Sequence, residues 1–368
     1  MASVLRWGII STGKIARRSV ATVFVKDLLV DPKTRDVQDV VHKVVAVGSR
    51  SVEKAQEFID TNTGGDKSIK AYGSYEEVYA DKDVDAIYIG TPHTYHYTNA
   101  IDAIRAKKHV LCEKPVTCNV AELRALISAA KENGVFFMEA MWTRFQPLPQ
   151  AVIKLLQSGE LGAPVVVHAD LSADFDIKNI PKTHRILDPA LGGGALLDLG
   201  PYPLVWAIMA LYESPPNEST PPSTISASIL KTPLTDVDAN TSFTLNFSKI
   251  AAQAVLSCSM NVPATSPGVI IRCEKGIIRV AAPIYCSKSY KVECLGEGGK
   301  IVKEQEYKFE YVGHGMEYEA DEVARCIRDG KAESALWGHD KSLLEMGVFD
   351  EVRKQGGYVL PPGVEKVV

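Results

Sequence analysis

The sequence predicts an α/β domain with a doubly wound parallel sheet, followed by an α+β domain with a large, mostly antiparallel sheet. Its 368 residues are more than a single compact core usually holds, which favours two domains. As far as about residue 145, apolar strand-like runs alternate with helical runs. Beyond it, short alternating or β-branched runs follow one another with turn residues between them. We therefore place the domains at residues 1–145 and 146–368.

The first domain contains predicted strands that alternate with helices. The strands are predicted at 4–10, 42–50, 84–92, 109–115 and 135–142. Helices are predicted after Gly13, at 51–61 with Ser51 as N-cap, at 98–108, and at 119–134 ended by Gly134. Such alternation implies right-handed crossovers and a parallel sheet. The charged segment 26–41 separates the first helix from the second strand, and we expect it at the surface.

The second domain begins with a predicted helix at 150–159 and ends with two more, at 315–330 and 340–356. Strand-like runs lie between them, at 163–175, 224–232, 241–250, 251–260, 268–281, 288–296 and 300–310. The element Gly192–Tyr212 is mostly apolar, as buried segments are. Because Pro201 and Pro203 interrupt it, the sequence allows either one helix or two helices that meet at Gly200.

The composition is that of an ordinary soluble globular protein, with 46% apolar and 23% charged residues. A net charge of −4 gives no basic surplus for nucleic acid, and no uninterrupted apolar run reaches the roughly 18 residues of a membrane span. The 7 cysteines are scattered without CxxC pairs, which is typical of reduced thiols rather than a zinc site. We expect a cytoplasmic protein with no nucleic-acid partner, no membrane partner and no bound metal.

The turn after the first strand has the composition of a phosphate-binding loop. A dinucleotide site needs a tight turn with bare backbone at a helix N-terminus, usually written G-x-G-x-x-G/A. This chain has Ser in place of the first glycine, Gly13 at the second and Ala16 at the third. The predicted cofactor contacts in this turn are Ser11, Thr12, Gly13, Lys14 and Ile15. The first domain is therefore predicted to be a Rossmann domain.

The end of the second strand predicts which dinucleotide binds. An acidic residue there would bond the ribose of NAD and repel a 2′-phosphate, but this chain has Ser49 and Arg50. A serine hydroxyl and a guanidinium both suit a phosphate, so we predict NADP. The third strand ends at the same edge of the sheet, and its polar residues are further candidates for contacts with the cofactor: Thr91, Pro92, His93 and His96.

Two groups of charged or polar residues lie where a purely structural element would not need them. Asp198 and Tyr202 stand four residues apart in the apolar Gly192–Tyr212 element, behind three glycines that allow a close approach to the cofactor. Glu113 and Lys114 directly follow the fourth strand, and Pro115 biases Lys114 towards an extended backbone. We predict that Lys114 points into a nicotinamide pocket and that Glu113 binds ribose hydroxyls.

Five segments, in this order and at these separations, resemble the Gfo/Idh/MocA family of oxidoreductases: GIISTGKIA, TPHTYHY, HVLCEKP, FMEAMWTRF and GGGALLDLGPY. The resemblance covers essentially the whole chain. Within the family, it points to the subgroup of dimeric dihydrodiol dehydrogenases and fungal NADP-dependent D-xylose 1-dehydrogenases, and more to the latter. It implies that Lys114 is the catalytic lysine, Tyr202 the proton-transferring tyrosine and Asp198 its acidic neighbour. It also implies a cis peptide at Lys114–Pro115 and a homodimer formed through the face of the C-terminal sheet.

This resemblance implies an NADP-dependent sugar dehydrogenase acting on CH–OH groups, with D-xylose oxidised to its lactone. Hydride would leave the anomeric carbon, and the hydroxyl proton would need a base such as Tyr202. The ammonium of Lys114 would favour the phenolate form. Remaining candidates are Arg144 for the cofactor or the substrate and, for the substrate, Trp142, Phe175, Asp176, His184 and Arg185.

Three other functions remain open at this point. A trans-dihydrodiol dehydrogenase would use the same residues, and an aldose or ketose reductase would run the same reaction backwards. A regulator that senses NAD(P) without catalysis would have lost the catalytic pair, whereas Lys114 and Tyr202 are both present.

Overall fold

The computed structural model describes residues 2–11, 20–35 and 37–368 of the chain. The chain divides into two compact units. The first contains Met1–Trp142, Tyr311–Leu343 and Lys366–Val368, and the second contains Thr143–Glu310 and Leu344–Glu365. The first boundary between the two units follows Trp142, three residues before the predicted domain boundary at residue 145. The sequence did not indicate that the chain would return to the first unit at residue 311.

The first unit is built on a parallel sheet of six strands in the order β3-β2-β1-β4-β5-β6. The strands are β1 Ser3–Ile10, β2 Val40–Gly48, β3 Lys70–Tyr72, β4 Ala86–Ile89, β5 His109–Glu113 and β6 Phe137–Ala140. Five were predicted. The sixth, β3, is a short, largely exposed edge strand, so its sequence carries no hydrophobic pattern. The strand order reverses between β1 and β4, and ligands of such sheets bind beyond the carboxyl ends of the strands at that point.

Five helices connect these strands or follow them: α1 Val20–Leu28, α2 Val52–Asn62, α3 Tyr75–Ala80, α4 His96–Arg105 and α5 Val120–Asn133. Local side chains fix their ends. The Ser51 hydroxyl accepts the Lys54 N–H at the start of α2, as predicted. Gly134 ends α5 with a φ of 65°, a left-handed conformation that glycine adopts without strain.

Helix α9 (Glu317–Arg328) belongs to the first unit because buried polar contacts tie it to the sheet. The Trp7 indole on β1 donates to Nδ1 of His42 on β2, and Nε2 of His42 lies 3.0 Å from an Asp321 oxygen on α9. The side chains of His42 and Asp321 are only 1% and 2% exposed. No local sequence pattern could show that His42 pairs with Asp321, because the two residues lie almost 280 positions apart in the chain.

The segment 26–41 is only partly the surface insert that the sequence indicated, since Leu29, Asp31 and Lys33 are exposed but other residues are buried. Its first residues belong to α1, where Asp27 and Leu28 are buried. The Asp27 carboxylate accepts the backbone N–H groups of His314 and Met316 at 2.9 and 3.0 Å. A carboxylate that satisfies the N–H groups ahead of α9 is part of the core, and this explains the acidic residue in α1.

The second unit is built on a sheet of eight strands in the order β14-β13-β12-β11-β7-β10-β9-β8. All neighbours are antiparallel except β7 and β10. Its strands are β7 Pro164–Ser172, β8 Thr224–Lys231, β9 Asp238–Phe247, β10 Ala252–Ser259, β11 Val269–Cys273, β12 Gly276–Val280, β13 Ser289–Leu295 and β14 Ile301–Lys308. Both predicted sheets are therefore confirmed.

Three further helices lie in the second unit, α6 Pro147–Gln157, α7 Ala195–Leu199 and α8 Pro201–Ala207, and α10 (His339–Gln355) crosses the boundary. The run Pro189–Tyr212 that contains α7 and α8 is apolar and long enough to cross a membrane, with a mean hydropathy of 1.4. All of that apolar window is buried inside the protein. The run is therefore the packed core of this unit.

Glu139 on β6 connects three parts of the first unit. Its carboxylate accepts the Val116 backbone N–H at 3.0 Å, the Trp337 indole N–H at 3.0 Å and the Ser342 hydroxyl at 2.6 Å. Glu139 is 2% exposed, so water cannot replace these bonds. The loop after β5, where Lys114 lies, thus shares an anchor with the segment 311–343.

We expect Glu139→Ala to lower the free energy of unfolding by about 3 kcal/mol or more, because each buried donor left without an acceptor costs roughly 1–3 kcal/mol. Urea unfolding followed by circular dichroism measures the change. Glu132→Ala is the control, since Glu132 is exposed and its described contact is with the Ser128 hydroxyl; it should change the value by under about 0.5 kcal/mol. Equal losses in the two variants would show that Glu139 is not an anchor.

Candidate active site

The carboxyl end of β1 leads directly into the predicted phosphate-binding turn. Ser11, the first residue of that turn, is buried and has a φ of 88°. A positive φ is uncommon for any residue other than glycine. Ser11 thus takes the backbone conformation of the first glycine in the G-x-G-x-x-G pattern. The other predicted contacts of the turn lie outside the described residues: Thr12, Gly13, Lys14 and Ile15.

The residues predicted to select NADP follow β2. Ser49 is buried, and its backbone N–H donates to the Tyr72 carbonyl on the edge strand β3. Arg50 is exposed, and the next residue, Ser51, caps α2. A guanidinium therefore stands at the carboxyl edge of the sheet and next to a helix N-terminus, where an anion is favoured.

The polar residues after β4 have different roles. The ring of His96 is buried, with Nδ1 2.8 Å from the Pro115 carbonyl oxygen and Nε2 2.8 Å from that of Thr91. Burial lowers the pKa of His96 to about 4, so the ring is neutral near pH 7 and donates one of these two bonds. His96 connects the loops after β4 and β5. The His93 ring lies 6.2 Å from it, edge to face, and is also buried.

The residues after β5 combine a buried carboxyl with a lysine. The Tyr88 hydroxyl donates to Oε1 of Glu113 at 2.6 Å, and the Lys114 backbone N–H donates to Oε2 at 3.3 Å. Burial raises the pKa of Glu113 to about 7, although both bonds oppose that rise. Lys114 is half-buried and forms a cis peptide with Pro115, which confirms the predicted cis bond.

The Gly192–Tyr212 element combines the two alternatives that the sequence left open. Helices α7 and α8 meet at Gly200 without a break in the helical backbone, and a π-helical turn at Ile208–Tyr212 follows. Gly200 joins α7 to α8 with a φ of −56° and a ψ of −31°, so the direction of the helix barely changes there. Pro201 is the first residue of α8, where its missing N–H removes no bond. Because the backbone stays helical, Asp198 and Tyr202 lie on one face, four residues apart. Both are buried.

The glycines in front of α7 allow close approaches inside this unit. Gly194 has a φ of 115°, and a side chain there would collide with the Asp238 carboxylate. A side chain at Gly193 would lie within 3 Å of the carbonyl oxygens of Ile186 and Asp188. We predicted an approach to the cofactor, whereas the described contacts of these two glycines are with β9 and the preceding loop.

Asp238 on β9 holds the start of α7. Its Oδ2 accepts the Leu196 N–H at 2.7 Å and the Thr241 hydroxyl at 2.9 Å. Burial raises the pKa of Asp238 to about 6, so most of the group is ionised near pH 7 despite its position in the core. A negative charge at a helix N-terminus is favourable, and it fixes the helix that leads to Asp198.

The structure brings Asp198, Tyr202 and Arg185 together. Nη1 of Arg185 lies 2.9 Å from Oδ1 of Asp198. Asp198 raises the pKa of the Arg185 guanidinium, and Tyr202 adds to the rise. His184 lies in the same group, where burial and the charge of Arg185 lower its pKa. Asp198 is therefore the counter-ion of an arginine in its own unit, a partner that the sequence did not reveal.

Tyr285 is a residue of this site that sequence reasoning missed. Its ring centroid lies 5.3 Å from that of Tyr202, at an angle of 51°. The hydroxyl of Thr143 and the amide of Gln146 both donate to its carbonyl oxygen, at 2.8 and 3.0 Å. Tyr285 lies in the irregular segment between β12 and β13, so no periodic pattern could have indicated it.

The other predicted residues lie apart from this group or in other surroundings. The Arg144 guanidinium is buried and donates twice to the Glu213 carboxylate, at 3.3 and 3.0 Å. Trp142 is half-buried and ends the first of the three segments that form the first unit. Phe175 is half-buried, and its N–H donates to the Met260 carbonyl, whereas Asp176 is exposed and has a φ of 50°. Among the described residues, no group of three or more His, Cys, Asp or Glu side chains could hold a metal ion.

The fold and these residues define a two-domain oxidoreductase with a nucleotide-binding domain. The first unit matches a family model described as "Oxidoreductase family, NAD-binding Rossmann fold" over residues 5–141. Residues 150–279 match the GFO/IDH/MocA C-terminal domain. The chain belongs to the Gfo/Idh/MocA family, which confirms the resemblance predicted from the five segments.

Two curated relatives show the similarity over nearly the whole chain. The D-xylose 1-dehydrogenase (NADP(+)) of Hypocrea jecorina is 39% identical, over 97% of this chain and 93% of the relative. The trans-1,2-dihydrobenzene-1,2-diol dehydrogenase of Danio rerio is 36% identical, over 96% of this chain and 98% of the relative. Both names describe oxidoreductases that act on CH–OH groups, the enzyme class predicted for this chain.

Solved structures show the same fold at lower sequence identity. The aldose-aldose oxidoreductase of Caulobacter crescentus has a TM-score of 0.77 and is 23% identical, over 96% of this chain and 97% of that one. The 3-ketoreductase KijD10 of Actinomadura kijaniata, solved with NADP and TDP-benzene, has a TM-score of 0.75 and is 21% identical, over 96% of this chain and 98% of that one. The predicted fold class is thereby confirmed.

We expect Gly194→Ala to lower the free energy of unfolding by about 2 kcal/mol more than Gly159→Ala does. Gly159 has a φ of 73°, where alanine costs roughly 1–2 kcal/mol of backbone strain. Gly194, with a φ of 115° and a ψ of 167°, lies in a region essentially restricted to glycine, where alanine costs of order 1–3 kcal/mol. Only at Gly194 would the methyl group also collide with Asp238, since nothing lies within 4 Å at Gly159. Chemical unfolding of both variants measures the difference, and equal losses would show that the close approach to Asp238 is unimportant.

Proposed function

We propose that this protein is an NADP-dependent sugar dehydrogenase that oxidises an aldose at its anomeric carbon. D-Xylose, oxidised to D-xylonolactone, is the substrate we propose first. The observation that carries the proposal is the pair Asp198 and Tyr202 on one helical face, in a chain that keeps Lys114 directly after β5. The 39% identity to a D-xylose 1-dehydrogenase supports the choice of sugar.

NADP is the cofactor we propose because of the residues after β2. Arg50 is exposed there and Ser49 precedes it, so neither of these two residues is an acidic one that would repel a 2′-phosphate. The name of the xylose dehydrogenase relative also specifies NADP(+). Ser11, with its glycine-like backbone, would let the loop approach the pyrophosphate.

The proposed mechanism assigns one proton transfer to this chain. NADP, when bound, accepts the hydride from the anomeric carbon. Tyr202, starting as the phenolate that the Lys114 ammonium favours, takes the proton of the anomeric hydroxyl as the carbon–oxygen double bond forms and becomes a neutral phenol. The ammonium of Lys114 stabilises the negative charge that develops on oxygen, and Asp198 with Arg185 holds the tyrosine's surroundings fixed. In the reverse direction, Tyr202 returns the proton to the oxygen of the lactone.

The second candidate is a trans-1,2-dihydrodiol dehydrogenase. The similarity to the Danio rerio enzyme favours it, as does the aromatic ring of Tyr285 next to Tyr202, which suits a flat carbocycle. An aldose or ketose reductase would use the same site in reverse. Aldoses and trans-1,2-dihydrodiols share one chemical feature: the oxidised carbon has a neighbour that also carries a hydroxyl. A regulator without catalysis is disfavoured because the catalytic residues are present.

We also propose a cytoplasmic homodimer. All seven cysteines are free thiols, as a reducing compartment would leave them, and alkylation of freshly lysed cells would show whether they are reduced. The eight-stranded sheet has side chains that alternate between exposed and half-buried along β8, which leaves part of one face open for a second copy. Sedimentation equilibrium tests the dimer, and a monomer at micromolar concentration would contradict it.

We expect the wild-type protein to reduce NADP in the presence of D-xylose and to be about a thousandfold slower after Lys114→Ala or Tyr202→Phe, because acid–base groups contribute roughly 10²–10⁴-fold. The assay compares pentoses, hexoses and trans-dihydrodiols at neutral and alkaline pH. Lys131→Ala, an exposed lysine at the end of α5, is the control and should keep full activity. Absence of turnover with every sugar would refute the proposed function, and an active Lys114→Ala would refute the mechanism.

We expect Arg50→Ala to weaken NADP binding about tenfold or more and to leave NAD binding nearly unchanged, since a charge-assisted hydrogen bond contributes roughly 1.5–3 kcal/mol. Fluorescence titration with NADPH and NADH measures both dissociation constants. Arg105→Ala removes an exposed arginine at the end of α4 and should affect neither. Equal weakening of the two cofactors would contradict the contact with the 2′-phosphate.

A further inference from the structure

In the ion pair between Arg185 and Asp198, the arginine is more exposed to solvent than in the buried ion pair between Arg144 and Glu213. The side chains of Arg185 and Asp198 are 30% and 10% exposed, compared with 6% and 11% for Arg144 and Glu213. Arg144 uses two guanidinium nitrogens on its carboxylate. Asp198 is the one acceptor that the described residues provide for Arg185, through Nη1.

A guanidinium has five N–H donors, and Asp198 uses one of those on Nη1. Among the described residues, no side-chain nitrogen of Arg185 is both buried and without a hydrogen-bond partner. With nearly a third of the side chain exposed, the remaining donors therefore face solvent next to Asp198 and Tyr202. Asp198 fixes the direction of these donors, so little rotamer entropy would be lost when they bind a ligand.

The charges of the group indicate the kind of ligand. Arg185 and Asp198 neutralise each other, and burial together with Arg185 lowers the pKa of His184, so that ring carries no charge near pH 7. The Asp198 carboxylate would repel an anionic sugar, and the Arg185 guanidinium would repel a cationic ligand. A neutral polyol suits the group best, because hydroxyl groups both donate and accept.

We propose that Arg185 donates hydrogen bonds to the hydroxyl next to the one that is oxidised, and thereby selects substrates with a vicinal diol. This inference rests on the proposed function, in which Tyr202 faces the reacting hydroxyl. Adjacent hydroxyl oxygens of a diol are about 3 Å apart, so a donor held beside the phenol reaches the second oxygen when the phenol holds the first. Arg185 stays protonated throughout and transfers nothing, since a guanidinium does not lose its proton in proteins.

The test compares D-xylose with 2-deoxy-D-xylose, which lacks only the neighbouring hydroxyl. We expect the wild-type protein to prefer D-xylose in kcat/KM by about thirtyfold or more, because a site built to bond a hydroxyl discriminates strongly against its absence. In Arg185→Met, the preference should fall to within about threefold. Both sugars should be used more slowly, because Asp198 loses its counter-ion, but the fall for D-xylose should be about tenfold larger than the fall for 2-deoxy-D-xylose.

Arg279→Met is the matched control. It breaks an ion pair of similar exposure in the same unit, 34% for Arg279 and 7% for Glu293, on β12 and β13. It should keep the wild-type preference. If Arg185→Met does not fold, Arg185→Lys replaces it, because lysine keeps the charge next to Asp198 with fewer donors. In Arg185→Lys, the preference for D-xylose over 2-deoxy-D-xylose should fall at least about threefold, and an unchanged preference would overturn the proposal.

Two outcomes of the main comparison would overturn the inference. One is an equal fall for both sugars in Arg185→Met, which indicates a structural role, and the other is a wild-type protein that does not distinguish them. Failure of the proposed function is a separate result, namely no turnover of any sugar. In that case, equilibrium binding of the two sugars to the NADPH-bound protein gives the same comparison, and equal affinities would overturn the role of Arg185.

Discussion

The buried carboxylate of Asp238 is the contact on which the candidate active site of the second unit depends. It accepts the first free N–H groups of α7 and so fixes where that helix begins. The approach is possible only because Gly194 has no side chain and a φ of 115°. From that start, helical geometry determines the rest: Asp198 follows within one turn, Gly200 continues the backbone, and Tyr202 lies on the same face. A charge in the core, which is normally costly, is here bonded by the groups that it orients.

The first unit uses buried polar groups in a similar way. Tyr88 bonds Glu113 at the end of β5, His96 connects the loops after β4 and β5, and Glu139 holds the backbone of Val116. These contacts fix the loop that carries Lys114 from three sides. The lysine itself can then be half-buried while its backbone is rigid, which is the arrangement that a group acting on developing charge requires.

Local patterns made most of the fold predictable. Buried parallel strands appear as short apolar runs, helix ends show in Ser51, Asn119 and Gly134, and antiparallel strands show as alternation. The five segments that carry the family resemblance were also visible, because charged and polar residues at strand ends and in an apolar helix stand out against their surroundings. The short edge strand β3 and the irregular loop with Tyr285 carry no periodic signal, and both were missed. Within the segment 26–41, Asp27 was misjudged because its charge suggested solvent, whereas its carboxylate accepts backbone N–H groups from the far end of the chain.

The sequence by itself determined the two kinds of sheet and the resemblance to one oxidoreductase family, and it singled out a predicted nucleotide-binding turn and the candidate site residues Lys114, Asp198 and Tyr202. Only the tertiary structure decided that residues 311–343 return to the first unit, that the backbone stays helical through Gly200, and that Arg185 pairs with Asp198. The reason is the same in each case. Periodicity and turn residues act over a few positions, whereas a buried ion pair or a cap from another strand joins residues that nothing in the linear pattern relates.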